Sequence, residues 1–82
     1  VRNRKRVYLL IVKYHNEAYD KVARTIYPLK KVLKNRTTAN GYTELTYEVR
    51  LKEDNTSFVT TLSEIEGVDH ATVVEFTGDY CE

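Results

Sequence analysis

Apolar and polar positions alternate most cleanly where Leu45, Tyr47, Val49 and Leu51 interleave with Thr46, Glu48 and Arg50, the period of a half-buried strand. Just before it stands Asn40-Gly41. This pair suits a two-residue hairpin turn, which needs positive φ at both central residues. Leu29 to Ala39 is then the partner strand, apolar near Leu29 to Leu33 and polar from Lys34 onward, as on an edge strand. If the loop is only Asn40-Gly41, Val32 faces Val49, Leu33 faces Glu48, Lys34 faces Tyr47 and Arg36 faces Leu45. Upstream, Val7 to Tyr14 (VYLLIVKY) is a near-continuous apolar run. It reads as a central strand buried on both faces. Leu9 and Ile11 point to one side, and Tyr8, Leu10, Val12 and Tyr14 to the other. An ordinary two-layer domain covers one face of its sheet. The second row, here assigned to Tyr8, Leu10, Val12 and Tyr14, is expected to meet a partner subunit.

Two helices fill the gaps. Asn16 is the expected N-cap of the first, with Glu17 and Asp20 in its first turn, where the helix dipole favours acids. Ala18 or Tyr19, Val22, Ala23 and Ile26 follow at helical spacing. Pro28 ends the helix and pushes Tyr27 towards extended geometry. Asp54 or Asn55 is the expected cap of the second, with Phe58, Leu62 and Ile65 on one face and Gly67 past its end. A last strand spans Val68 to Phe76, with Val74 and Phe76 on one face and Ala71 and Val73 on the other. The order β-α-β-β-α-β with right-handed crossovers implies an α+β sandwich of ferredoxin-like type: a four-stranded antiparallel sheet with two helices on one face. Residues 1–6 form a basic lead-in, 7–80 the domain and 81–82 a tail.

Eighty-two residues suffice for one small domain, of a size often helped by association. Cys81 is the only cysteine, so an internal disulfide framework and a cysteine-based zinc cluster are excluded. No run approaches the length of a membrane span and no signal peptide is recognisable. The chain has no Met at all, which leads us to expect a piece of a longer protein. The net charge of +1 hides an asymmetry: residues 1–36 hold eleven Lys/Arg and two Asp/Glu, residues 37–82 two and ten. Such halves attract when their strands pair. The lead-in VRNRKR concentrates Arg2, Arg4, Lys5 and Arg6. A flank of this kind sits on the cytoplasmic side of membrane spans and near anionic lipid.

Chemistry-bearing patterns are few. His15 and His70 are the only histidines, and neither has a second ligand at metal spacing. Glu64, Glu66 and Asp69 do not match a calcium loop. There is no glycine-rich phosphate loop and no nucleophile set beside a histidine and a carboxylate, so neither an enzyme nor a cofactor is expected. This element order also serves single-stranded RNA recognition, with Tyr8 as a possible stacking residue. The outward row Glu44, Thr46, Glu48 and Arg50 carries two carboxylates that oppose phosphate, and nucleic acid is not an expected partner.

The stretch ELTYEVRLKEDNTSFVTTLSEIEGV, followed by a strand and TGDY, resembles the C-terminal soluble domain of bacterial membrane proteins related to the MgtC/SapB group. In these, transmembrane helices precede a soluble ACT-like domain. The resemblance runs from about Val7 to Tyr80 and is strongest from Thr43 to Val68. It implies a regulatory or assembly domain on the cytoplasmic face of the bacterial inner membrane, a homodimer attached through an N-terminal membrane region, with VRNRKR as the flank of the last helix. It also implies, as an alternative, a sensor of a small ligand such as an amino acid or ion at the first strand-helix turn. The glycine usual there in classical ACT ligand loops is replaced by Tyr14-His15-Asn16-Glu17.

Overall fold

The structure, a computed structural model, describes residues 5–52 and 55–76. Strand β1 (Lys5–His15) leads through a 3-10 turn (Asn16–Ala18) into helix α1 (Tyr19–Ile26). Strands β2 (Lys30–Ala39) and β3 (Tyr42–Lys52) form the hairpin; helix α2 (Phe58–Ser63) and strand β4 (Val68–Glu75) complete the chain. The sheet has the order β2-β3-β1-β4 with every pairing antiparallel, an α+β arrangement consistent with a ferredoxin-like fold. Asn40 (φ 55°) and Gly41 (φ 84°) make the two-residue turn. None of the described helices is long and apolar enough to cross a membrane.

Strand β1 is central, as expected, but its rows are used the other way round. Tyr8, Leu10, Val12 and Tyr14 are buried in one core with Val22 and Ile26 of α1 and Leu62 of α2. They are therefore not an exposed interface. Register explains the choice. Tyr8 lies opposite Val49, Leu10 opposite Tyr47 and Val12 opposite Leu45, so the row joins the apolar row of β3. The side left uncovered carries Val7, Leu9 and Ile11, only half-buried, beside Glu44, Thr46, Glu48 and Arg50 of β3. Val74 and Phe76 flank them on the β4 side, while Ala71 and Val73 pack on the core.

The helices are short, and each is anchored by few residues. Ala18, Val22 and Ile26 are spaced by four and bury one stripe, while Tyr19 is half exposed. The helix ends where expected, but Tyr27 keeps helical angles (φ −52°, ψ −42°) rather than turning extended. The Leu29 N–H donates to the Ile26 carbonyl and holds that last turn closed. In α2 the side chain of Leu62 is fully buried and Phe58 partly so; Ile65, expected on the helix, lies in the turn beyond its end and is also partly buried. Burying a leucine of this kind contributes about 2 kcal/mol. The expected caps differ too. Ser57 occupies the N-cap of α2 without a side-chain bond, Asn55 lies two residues earlier, and Asp54 is outside the described residues.

Strand β2 departs from the expected register. Arg36 does face Leu45, but the pairing shifts between Leu33 and Asn35. Beyond the bulge Val32 faces Glu48, Leu33 faces Tyr47 and Lys31 faces Val49. Lys34, placed opposite Tyr47 by simple counting, is the extra residue of the bulge. The reversal of faces follows from the period of two, since one inserted residue exchanges the rows.

Gly67 is a second position that only glycine suits. Its φ is +99°, and an added Cβ would stand 3.0 Å from the Ala18 Cβ. Gly67→Ala should lower stability by about 2 kcal/mol, read as a lower midpoint in urea with an unchanged slope.

Candidate functional site

The end of β1 is where separate parts of the chain converge. The His15 N–H donates to the Gly67 carbonyl at 2.7 Å, and the Asn16 N–H to the Gly41 carbonyl at 2.8 Å. The turn leaving β1 is thus held between the hairpin turn and the turn that follows α2. A polar chain reinforces it. Thr43 Oγ1 donates to Asn16 Oδ1 at 2.6 Å, which leaves Thr38 Oγ1 to donate to Thr43 at 3.2 Å. Thr43 is the buried polar residue of the core, and this chain satisfies its hydroxyl.

These bonds redistribute the roles of the four residues predicted to contact a ligand. Asn16 does not cap the helix, because its amide oxygen is held by Thr43. His15 caps the 3-10 turn Asn16–Ala18, its Nδ1 accepting from the Glu17 N–H at 3.4 Å, while α1 itself starts from Ala18 with no side-chain cap. The His15 ring stands edge-on to Tyr42, with ring centres 5.2 Å apart. Tyr14 points into the core. Only His15 and Glu17 border an open cavity of about 520 Å³, shared with Ala18, Asp20, Lys21, Arg24, Glu66 and Gly67. Lys21, Arg24 and Glu66 were not foreseen. Their signal was the charged side of α1, opposite Ala18, Val22 and Ile26, together with the turn that Gly67 brings back. The wall carries carboxylates and cations together, suited to a small zwitterion or to solvent.

Among the described residues no three His, Cys, Asp or Glu side chains gather closely enough to hold an ion. His70 pairs with the adjacent Asp69 at 3.0 Å on the exposed surface. The expected attraction between the two halves of the chain takes the form of surface pairs: Arg6 with Glu75 at 3.6 Å and Lys34 with Glu48 at 3.8 Å. Each contributes at most about 1 kcal/mol. Of the basic lead-in, Arg6 is therefore tied to β4, while Arg2, Arg4 and the Lys5 side chain are outside the described residues.

A second recess lies on the helix side, between α1 and the hairpin. Tyr19, Val22, Ala23, Ile26 and Tyr27 form its helix wall, and Lys31, Leu45 and Tyr47 the rest. Burial raises the pKa of the Tyr47 hydroxyl, helped by the nearby Tyr19 and opposed by Arg36. Burial likewise raises that of Tyr14, with Arg36 again opposing. A phenol whose pKa is higher folded than unfolded holds its proton more tightly in the native state. It contributes stability that is present below the unfolded pKa, near 10, and lost as pH rises through the folded value. The urea midpoint should therefore stay level from neutral pH to about pH 9 and fall above about pH 10. Tyr47→Phe should make that alkaline fall shallower, as measured by unfolding at a series of pH values.

Comparison with known protein families, with characterised proteins and with solved structures finds no match to this chain.

Proposed function

We propose that the chain is an ACT-like assembly domain, joining two copies and serving as the cytoplasmic regulatory part of a bacterial membrane protein related to the MgtC/SapB group. The observation that supports assembly is the uncovered face of the sheet. Leu9 and Ile11 run along its central strand with Val74 and Phe76 beside them, 47% and 42% exposed. A row of this kind on a two-layer domain loses exposed apolar area when a second copy covers it. Charged residues of β3 border the row and give the contact a polar rim. The membrane setting rests on the resemblance from Thr43 to Val68 and on the cationic lead-in; Arg2 and Arg4 are suited to anionic lipid headgroups.

A small-ligand sensor is the second reading, favoured by the cavity that His15 and Glu17 share with Lys21 and Arg24. The two carboxylates of the outward β3 row, Glu44 and Glu48, count against an RNA-binding sheet.

Light scattering on the eluting protein separates these readings. A dimer is expected, converted to monomer by Ile11→Lys, with the circular dichroism spectrum retained because Ile11 faces outward. A strict monomer at high concentration sinks the assembly reading for this domain. For the sensor, amino acids and divalent ions at millimolar levels should raise the melting temperature, and Arg24→Ala should abolish the shift. No stabilisation by any of them removes that alternative.

A further inference from the structure

The bulge in β2 sets an energetically odd arrangement. Without it, Val32 would point to the helix side and Lys31 to the open side. With it, Val32 is turned outward and is 58% exposed, while Lys31 and Leu33 stand on the helix side with Arg36. The exchange brings Leu33, 45% exposed, to the helix side in place of Val32. Bulges of this kind re-aim side chains, and they are over-represented beside functional sites.

The exchange brings Lys31 to the recess between α1 and the hairpin. The Lys31 ammonium lies 5.9 Å from the centre of the Tyr47 ring. The floor is apolar, made by Val22, Ile26 and Leu45, and Tyr19 and Tyr27 stand at the helix edge. No carboxylate lines the recess. Among the described residues no ion pair engages Lys31 or Arg36. Arg36 stands opposite Leu45 on the same face of the sheet but does not line the recess, so Lys31 is the cation at its wall. The volume is about 190 Å³. An apolar cavity of about 150 Å³ takes benzene.

We propose that this recess binds a single-ring aromatic carboxylate. The ring lies on Val22, Ile26 and Leu45 against the tyrosine rings, and the carboxylate meets Lys31. The site is selective by charge. It offers an ammonium to the acid but no carboxylate to an ammonium group, so it disfavours aromatic amino acids. It lies on the side of the sheet opposite the proposed assembly face and does not depend on that reading.

Phenylacetate is the probe, titrated into the full 82-residue chain and followed by amide proton–nitrogen correlation spectra. Saturable shifts are expected at Tyr19, Ile26, Lys31, Leu45 and Tyr47, with a Kd of about 1 mM. Phenylalanine, 2-phenylethanol and acetate should bind at least about tenfold more weakly. Lys31→Met keeps the aliphatic stem and should weaken phenylacetate by about tenfold, while Lys31→Arg retains it. Peaks outside the recess report that each variant is folded. Absence of saturable shifts at these residues with the unmodified chain overturns the proposal, whatever the variants do. So does an equal response to 2-phenylethanol, which identifies a hydrophobic additive only.

Discussion

The burial of one row of β1 is the constraint on which the remaining structure depends. Tyr8, Leu10, Val12 and Tyr14 form the floor of the core, and the strand that carries them is paired on both sides. The two helices above are eight and six residues long, too short to hold helical form alone in water. Their stability comes from Val22, Ile26 and Leu62 meeting that row. The dependence runs both ways, because without the helices the row would be a large exposed apolar strip.

Short helices leave surfaces uncovered, and both candidate interaction surfaces follow from that economy. The inner row of β2 extends past the reach of α1, which creates the tyrosine-lined recess. Among the described residues the outer side of the sheet has no second layer, and Leu9 and Ile11 are shielded there by their neighbours within the sheet. Charge is arranged around these surfaces rather than across the core. The excess of bases in the first half of the chain and of acids in the second becomes neighbouring strands of opposite sign, Arg6 beside Glu75 and Lys34 beside Glu48.

Much of this was legible in the residues. Asn40-Gly41 identified the hairpin because few pairs tolerate positive φ twice, and Pro28 bounded α1, while α2 stops at Ser63, short of the Gly67 turn. What escaped was register. Both rows of β1 are apolar, so periodicity alone could not say which row faces the helices. That is decided by pairing with β3 across a long separation in sequence. The bulge at Lys34 has no glycine or proline to announce it, and it exchanged the faces of Val32 and Lys31. The same gap hid the recess, whose lining needs Lys31 to turn inward. At the first turn, Asn16 has the usual chemistry of a cap. Thr43, far along the chain, takes its oxygen, and His15 caps the 3-10 turn that leads into α1.

The two-residue hairpin has a consequence in time as well as in space. Hairpins close in microseconds, because little chain entropy is lost before contacts form. Strand β1 has no such local partner. It meets β3 only after the intervening chain has looped back, and β4 only after a still longer excursion. Non-local pairing of this kind slows folding. The hairpin therefore forms ahead of the sheet and offers β3 as the template on which the central strand docks. The bonds from His15 and Asn16 to the two glycine carbonyls join all three parts of the chain, so they are among the last to close. Closure of the turn leaving β1 therefore waits on both the hairpin turn and the turn that follows α2.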